Sequence, residues 1–415
     1  MPQNKNHERD LNRDVISLFS GAMGLDIGLG LAGLNTRIGQ DFDDCCVETM
    51  RLNGHTVIAG DIRKIDPKQA LALTDLRQGE PFLICGGPPC QPFSTAGKRL
   101  GINDPRGSLF MDFIRMIDYI RPRFFIMENV KGLMSSTTNR AKGKIAPAKQ
   151  LTLFDRPVGQ LTLIDDEQGG GGEAALDIIL SEFEKLGYKT VYGVLDSVNY
   201  GVPQFRERFV LLGSRDGENI FLPMPTHFQT HQNPAYRWAT LRSAISDLEN
   251  NPGECASFSP DRLAFLRMVP EGGNWRNLSS DCVERAMGGA YNSGGGKVGF
   301  YRRLAYDTPS PTLVTSPVQK ASMLCHPTED RPLSVSEYAR IQQFPDNWIF
   351  SGNMANKYRQ IGNAVPVGLA KALGEALIAT ANGNSTIQTK RIRGTDVHNR
   401  IRNALEMGGV AQARP

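Results

Sequence analysis

The sequence predicts an α/β fold in which a mostly parallel sheet is joined to a second, smaller and irregular domain. Residues 14–34 contain an apolar strand, a glycine turn and an apolar helix in succession, which is the repeating unit of such sheets. Short strand-like runs follow and end on acidic residues. Residues 218–311 differ, because they are rich in Pro, Asn and Gly and lack alternating helices and strands.

The first three predicted strands cover residues 14–19, 36–40 and 56–60. The second strand closes on Asp41 and the third on Asp61. An acidic residue at the end of the second strand is the usual partner of a ribose hydroxyl in nucleoside-binding α/β folds, and Asp41 fits that role. The turn after the first strand lacks the third glycine of G-x-G-x-x-G, which argues against NAD.

A thiol stands shortly after the next apolar run, residues 81–85. The intervening Gly-Gly-Pro-Pro sequence lets the backbone turn sharply and then fixes it, so we predict that Cys90 is aimed from a strand end as a nucleophile. Most free cysteines are small buried hydrophobes instead, and Cys85 is expected to be one. A further apolar run, residues 123–127, ends at Glu128, and strand ends of this kind form active sites.

The elements that follow complete the predicted sheet. Apolar residues at helical spacing predict a helix that opens within 104–111 and ends at 120, and a second helix over 174–186; strands follow over 188–195 and 209–213. Residues 135–172 lose this periodicity, repeat the sequence Gln-Leu-Thr-Leu and lead into four glycines. We predict that they form an insertion without a chemical role.

Changes in composition divide the chain into units. The predicted units are a first domain (1–215), the irregular domain (216–325), a segment that returns to the first domain (326–385) and a disordered basic tail (386–415). The returning segment begins with a helix over 333–342, which has a capping-box start, and ends with a helix over 367–379.

Four short blocks, in this order along the chain, resemble the signature blocks of the C5-cytosine DNA methyltransferases. They are Pro-Pro-Cys-Gln at 88–91, Glu-Asn-Val at 128–130, Gln-Phe-Arg-Glu-Arg at 204–208 and Gly-Asn-Ala-Val-Pro at 362–366. The resemblance extends from about residue 15 to about residue 377, apart from the insertion. It implies a Rossmann-like, S-adenosylmethionine-dependent methyltransferase domain and a smaller target-recognition domain.

The resemblance also implies which residues bind S-adenosyl-L-methionine. Phe19 would contact the adenosyl group or the sulfonium, since an aromatic face attracts a cation. Asp41 would bind the ribose, and Asp61 with Ile62 would bind the adenine. Further cofactor candidates are Gly21, Gly24, Pro89, Leu109 and Asn363. Met23 departs from the family, whose members often carry glycine at that position.

The implied chemistry is covalent catalysis. Cytosine C5 is a poor nucleophile, so the Cys90 thiolate would add to C6 while Glu128 assists at N3, which makes C5 electron-rich. Arg206 and Arg208 alternate along an extended segment, so one or both would hold cytosine O2. In the family the second arginine of this block has that task. The target base would have to turn out of the duplex, because it is inaccessible within the stack.

The predicted partner is double-stranded DNA. Residues 95–103 are expected to form a mobile loop that closes over DNA, with Lys98 and Arg99 facing phosphates. Ser94 and Gln204 are further candidates for DNA contacts. A net charge of +4 permits nucleic-acid binding without demonstrating it. Basic residues concentrated between 98 and 149 favour it, whereas a solvated basic face is the alternative.

Other features set limits on the protein class. The seven cysteines contain no C-x-x-C pair, and His227 and His231 are interpreted as loop histidines, so we predict neither a disulfide framework nor a metal site. No stretch is expected to reach the ~20 apolar residues that span a bilayer. We expect a cytoplasmic monomer, and a cognate restriction endonuclease would act on the same site without a stable complex.

Alternatives to this function stay open. A methyltransferase acting on an exocyclic amine would carry Asp, Asn or Ser before Pro-Pro and an aromatic residue after it, whereas Gly87 and Cys90 stand there. An RNA cytosine-5 methyltransferase of the same fold shares the cysteine and glutamate blocks, and the sizeable second domain favours DNA. A catalytically silent DNA-binding regulator is disfavoured by the intact Cys90, Glu128 and Arg208.

Overall fold

The computed structural model describes residues 12–89, 108–130, 175–292 and 298–383, and a seven-stranded sheet lies at its centre. The strands are β1 (Asp14–Leu18), β2 (Asn35–Asp41), β3 (Val57–Ala59), β4 (Leu83–Gly86), β5 (Phe124–Val130), β6 (Lys189–Asp196) and β7 (Glu207–Ser214). Their order across the sheet is β3-β2-β1-β4-β5-β7-β6. The first five strands are parallel, and β7 is antiparallel to both of its neighbours. The predicted α/β fold with a mostly parallel sheet is confirmed.

Helices of the described residues flank the sheet and build the second part of the chain. They are α1 (Gly24–Leu31), α2 (Asp44–Leu52), α3 (Pro67–Ala72), α4 (Ser108–Ile120), α5 (Ala175–Lys185), α6 (Leu241–Ile245), α7 (Pro260–Leu266), α8 (Ser280–Met287), α9 (Val335–Ile341), α10 (Met354–Asn363) and α11 (Val367–Ala381). The predicted insertion (135–172) and the predicted basic tail (386–415) lie outside the described residues.

Both faces of the sheet are buried. On β5, Phe125 and Met127 belong to the apolar cluster that includes residues of α4 and α5. The alternate residues Phe124 and Ile126 belong to the cluster that includes residues of α1 and α11. Burial on two sides explains why these strands are continuous apolar runs rather than alternating ones. Each large side chain removed from water in this way contributes about 1.5–3 kcal/mol before entropy costs.

Helices α1 and α11 approach each other closely because glycines lie at their contact. A Cβ atom built on Gly28 would lie 2.3 Å from the Val367 carbonyl oxygen, and one on Gly374 would lie 2.7 Å from Ala32 Cβ. The C-terminal helix therefore packs directly on the first helix of the chain. This contact places the segment before α11 beside the glycine turn that follows β1.

The described part of residues 218–311 contains short helices and turns and no β-strand. Two apolar clusters stabilise this region. One includes Leu266, Met287 and Met323, whereas the other joins α6 to α9 and α10. The segment after residue 326 thus shares a core with the irregular region, and the domain boundaries stay a prediction.

One segment contradicts the expectation that no stretch is apolar enough to span a bilayer. Met354–Ala381 has sufficient length and apolar composition. In the structure it is two helices, α10 and α11, which are separated at residues 364–366. The apolar side chains of α11 that face the sheet, Leu369, Leu373 and Leu377, are fully buried. The segment is therefore part of the protein core.

Candidate active site

The candidate site lies at one edge of the sheet. Because β1 to β5 are parallel, their carboxyl ends meet at this edge. A cavity of about 950 Å³ runs along it. Its lining includes Phe19, Gly21, Gly24, Asp41, Asp61, Ile62, Pro89, Leu109, Glu128, Arg206, Arg208 and Asn363. The structure thus brings together the predicted cofactor residues and the described catalytic candidates in one continuous space.

Four predicted residues cannot be placed in this cavity. Cys90, Ser94, Lys98 and Arg99 lie outside the described residues. The described chain reaches Pro89, which lines the cavity and directly precedes Cys90 in the sequence.

The glycine turn after β1 forms the first wall of the cavity. Phe19 and Gly21 both have positive φ angles, of 53° and 55°. The Gly21 amide donates to Asp41 Oδ2 over 2.7 Å, and the Asp43 amide donates to Asp41 Oδ1 over 2.9 Å. Burial raises the pKa of Asp41, while these backbone hydrogen bonds oppose the shift. The Asp41 carboxylate is therefore held between two loops at the cavity wall.

The turn also explains how the chain accommodates Met23. This residue adopts a left-handed conformation, with φ 66°, at the start of α1. Its side chain is buried against Val47 and Met50, outside the cavity lining. Gly24, in contrast, is required for packing, because a Cβ there would lie 2.4 Å from the Val365 carbonyl oxygen. The close approach at Gly24 is thus to the C-terminal segment of the protein.

The part of the cavity that is predicted to bind adenine contains Asp61, Ile62 and an additional aromatic residue. Asp61 pairs with Arg63 over 2.5 Å, and this hydrogen bond lowers its pKa. Ile62 is buried. Phe42 lines the same cavity although its side chain is 73% exposed. Sequence reasoning missed Phe42, because an aromatic residue after a strand is equally typical of a core position.

Glu128 and Arg208 form a pair at the opposite end of the cavity. They stand on neighbouring antiparallel strands, where Val130 lies opposite Arg208. Arg208 Nε is 2.5 Å from Glu128 Oε1, and Glu128 is only 8% exposed. Burial raises the pKa of Glu128, while the charges of Arg208 and Arg206 oppose this shift. A buried carboxyl with a raised pKa can retain a proton and donate a hydrogen bond.

The turn at residues 87–89, which precedes Cys90, packs against Glu128 and Asn129. A Cβ on Gly87 would lie 2.9 Å from Glu128 Oε2, so any larger residue here would require the carboxylate to shift. The buried Asn129 side chain donates to the Pro88 carbonyl oxygen over 2.8 Å. Sequence reasoning assigned no role to Asn129; its place within the Glu-Asn-Val block was the available signal.

Arg206 differs from Arg208 in its surroundings. It is 2% exposed, and its Nη1 and Nη2 donate to the carbonyl oxygens of Leu313 and Gly362 over 2.9 and 2.6 Å. These bonds join the end of the sheet to two segments from the second half of the chain. Arg206 therefore holds the cavity wall, whereas Arg208 faces the Glu128 carboxylate.

The prediction that Gln204 contacts DNA requires correction. Its side chain is fully buried, with 0% exposure. Its Nε2 donates to Gln342 Oε1 over 3.0 Å, and its Oε1 accepts from the Leu313 amide over 2.9 Å. Both ends of the amide are thus used inside the protein. Gln204 supports the same wall as Arg206.

Comparison with known families decides the class of protein. The model of the C-5 cytosine-specific DNA methylase family matches residues 13–149 and 162–379. The chain belongs to this family. It is accordingly a DNA cytosine-5 methyltransferase. The unmatched residues between 149 and 162 fall within the predicted insertion.

Several curated relatives of this DNA methylase are Type II methyltransferases. It is 37% identical over 379 residues to M.Sau96I of Staphylococcus aureus, covering 91% of this chain and 78% of that protein. It is 38% identical to M.PspPI of a Psychrobacter species, covering 89% of this chain and 79% of the relative. It is 35% identical to M.Eco47II of Escherichia coli, covering 88% and 78%.

Solved structures with low sequence identity share the fold of this DNA methylase. The S. pombe Dnmt2 methyltransferase superposes with a TM-score of 0.52 at 18% identity, covering 89% of this chain and 99% of that one. The Entamoeba histolytica methyltransferase EhMeth gives a TM-score of 0.52 at 18% identity, covering 88% and 97%. At these identities the likeness concerns architecture alone.

Proposed function

We propose that this DNA cytosine-5 methyltransferase is the modification enzyme of a restriction-modification system. In this role it methylates C5 of one cytosine in a specific duplex sequence, with Cys90 as the nucleophile. The supporting observation is the single cavity that extends from Asp41 to the Glu128–Arg208 pair. The relatives named as Type II methyltransferases support the biological role. A monomeric state, a cytoplasmic location and a companion endonuclease that forms no stable complex remain predictions.

The residues at the first end of the cavity fit S-adenosylmethionine. Asp41 offers carboxylate oxygens beside the exposed aromatic ring of Phe42. Gly21 has open space where a side chain would stand, and Asn363 forms part of the facing wall. When bound, S-adenosylmethionine supplies an electrophilic methyl group on a cationic sulfur. Phe19, Asp41, Phe42 and Asn363 would hold and orient the molecule so that this group faces the other end of the cavity.

The residues at the second end supply the groups that cytosine activation requires. The Cys90 thiolate would form a bond to C6, and the electron pair of the C5–C6 double bond would then be available at C5. Glu128 would donate to N3, and Arg208 would donate to O2, where negative charge develops. Once C5 carries the methyl group, its proton would pass to solvent water. The electron pair of that C–H bond would reform the C5–C6 double bond as the C6–S bond breaks and the Cys90 thiolate leaves.

The test combines methyl transfer with covalent trapping. Purified protein and labelled S-adenosylmethionine are incubated with duplex DNA, and bisulfite sequencing locates the product. We expect 5-methylcytosine at one sequence context. Cys90→Ser should lower kcat by about 10³-fold or more, because loss of a nucleophile removes the covalent route. Duplexes with 5-fluorocytosine at the target should form a complex that survives denaturing electrophoresis, because fluorine cannot leave C5 as a proton does.

Cys282→Ser is the matched control, since Cys282 is a free cysteine that lies in α8, away from the cavity lining. It should retain both activity and trapping. Methyl transfer to RNA but not to duplex DNA would support the RNA enzyme instead. Duplex binding without transfer, unaffected by Cys90→Ser, would support the silent regulator.

A further inference from the structure

A surface loop between β7 and α6 has an unusual charge composition. Residues 219–246 contain no Asp or Glu, although the whole chain has 43 of them among 415 residues. Within this stretch, residues 229–237 are all exposed to solvent. They include Gln229, His231 and Arg237. The loop thus presents amide, imidazole and guanidinium groups without a carboxylate that would repel an anionic partner.

The loop lies at the edge of the sheet where the candidate active site is located. Strand β6 is parallel to β5, because β7 is antiparallel to both. The β6–β7 connection, which contains Asn199 and Phe205, therefore lies at the same carboxyl edge as Glu128. The Asn199 carbonyl accepts from the Thr226 and His227 amides over 2.9 and 3.0 Å, and Asn199 Oδ1 accepts from Trp238 Nε1 over 3.1 Å. Both ends of the loop are thus held on one residue at this edge.

The interior of the loop is ordered by its own contacts. The Phe228 amide donates to the Tyr236 carbonyl over 2.8 Å, and Arg237 Nε donates to the His231 carbonyl over 2.7 Å. The His231 ring lies against Phe228 and Tyr236, with centroid distances of 5.9 and 5.2 Å. Tyr236 nevertheless remains 49% exposed. A loop that is exposed and internally bonded loses little conformational entropy when it binds.

The position and chemistry of the loop indicate one kind of partner. A duplex that delivers a cytosine to Glu128 and Arg208 has to lie over the carboxyl edge. Its phosphates attract cations, and its base edges pair with guanidinium and amide groups. We propose that the 226–237 loop contacts the duplex beside the extruded cytosine, through Arg237 and the amide side chain of Gln229. The proposal rests on the proposed function for its substrate.

The test uses variants of the full chain and plasmid DNA that contains the methylated site. Arg237→Ala should raise the KM for DNA about tenfold with little change in kcat. It should also lower the number of counterions released on duplex binding by about one, as measured from the slope of log K against log salt concentration. Arg237→Lys should restore part of the affinity, because it keeps the charge. Gln229→Glu should weaken binding by repelling phosphate, and Gln229 takes no part in the hydrogen bonds that order the loop.

Matched controls lie at the opposite edge of the sheet. Arg77 and Gln78 are exposed there, close to the start of β5, as the Gln78 bond to the Tyr119 carbonyl indicates. Arg77→Ala and Gln78→Glu should leave the KM for DNA unchanged. All variants should bind S-adenosylhomocysteine normally, which shows that they are folded.

The outcomes distinguish a failure of the loop proposal from a failure of the proposed function. A wild-type enzyme that methylates cytosine, with normal KM in Arg237→Ala and Gln229→Glu, would overturn the loop proposal and leave the function standing. A protein that transfers no methyl group, but whose duplex binding is weakened by both substitutions, would retain the loop and overturn the function. Wild-type protein that does not bind duplex DNA would overturn both.

Discussion

Arg206 and Arg208 are two residues apart and both line the cavity, yet their contacts assign them different tasks. The Arg206 guanidinium donates to two main-chain carbonyls and is nearly inaccessible. The Arg208 guanidinium meets the Glu128 carboxylate, the described side chain with a raised pKa at this end of the cavity. An arginine whose hydrogen bonds join separate segments of the chain stabilises the fold. An arginine that faces a titratable acid in a cavity can act on a substrate.

Substitution by methionine should separate the two roles. Arg206→Met leaves the carbonyls of Leu313 and Gly362 without their donors, so we expect a loss of about 2–4 kcal/mol in the free energy of unfolding. Arg208→Met should lower kcat about 100-fold or more while S-adenosylhomocysteine still binds, because a donor to the developing charge is removed. Urea unfolding and steady-state methyl-transfer kinetics measure the two effects. Equal effects of both substitutions on kcat at unchanged stability would contradict this division.

At the scale of elements, helix α9 is anchored by a buried polar network. Ser334 and Glu337 form a capping box, and Glu337 also pairs with Arg331 over 2.8 Å. His326 is fully buried beside them, with Nε2 at 3.5 Å from Glu337 Oε1 and 3.2 Å from the Tyr306 hydroxyl. Its Nδ1 accepts from the Glu329 amide over 3.1 Å. A second proton on the ring would remove that acceptor.

This network predicts a pH dependence of stability. Burial lowers the pKa of His326 below its usual value of 6.5, although Glu337 opposes the shift. The unfolded chain therefore binds more protons near pH 6, and the stability contributed by neutral His326 is lost as the pH falls below 6.5. Unfolding free energies measured between about pH 7.5 and pH 5.5 should decline more steeply for wild type than for His326→Gln. The exposed His231→Gln should follow wild type, and a wild-type slope in His326→Gln would contradict the argument.

The sequence predicted those elements whose pattern is visible within a short stretch of residues. The runs that became β1, β4 and β5 were recognised to within three residues at each end, because strands buried on both faces are continuously apolar. The capping box at Ser334 likewise located the start of α9. Helix α10 was missed, because its polar sequence Lys-Tyr-Arg-Gln forms a helix through contacts with residues more than 300 positions away, such as the Gln360 bond to Thr49. No local pattern carries that information.

The same limit applies to the site as a whole. The strand ends indicated that Asp41 and Glu128 lie at one edge, since parallel strands bring their carboxyl ends together. Arg208 reaches the same edge because it lies near the start of the antiparallel β7, opposite Val130 at the end of β5. The sequence could not distinguish the buried Gln204 from a surface residue, because its burial depends on Gln342 and Leu313. The cavity has walls from both ends of the chain, including Gly21 and Asn363. Its shape therefore depends on how α11 docks on α1.

Substitution of two glycines in α1 tests this dependence. A Cβ on Gly28 would lie 2.3 Å from the Val367 carbonyl oxygen and 2.4 Å from Ala370 Cβ, so Gly28→Ala must displace α11. We expect a loss of about 1–3 kcal/mol in the free energy of unfolding and weaker S-adenosylhomocysteine binding, because only residues 364–366 separate Asn363 from the displaced α11. Gly30 lies on the exposed face of the same helix with no atom within 4 Å, so Gly30→Ala should bind normally and gain up to about 1 kcal/mol. Urea unfolding and calorimetric titration measure both quantities. If the two variants behave alike, the cavity does not depend on the α1–α11 contact.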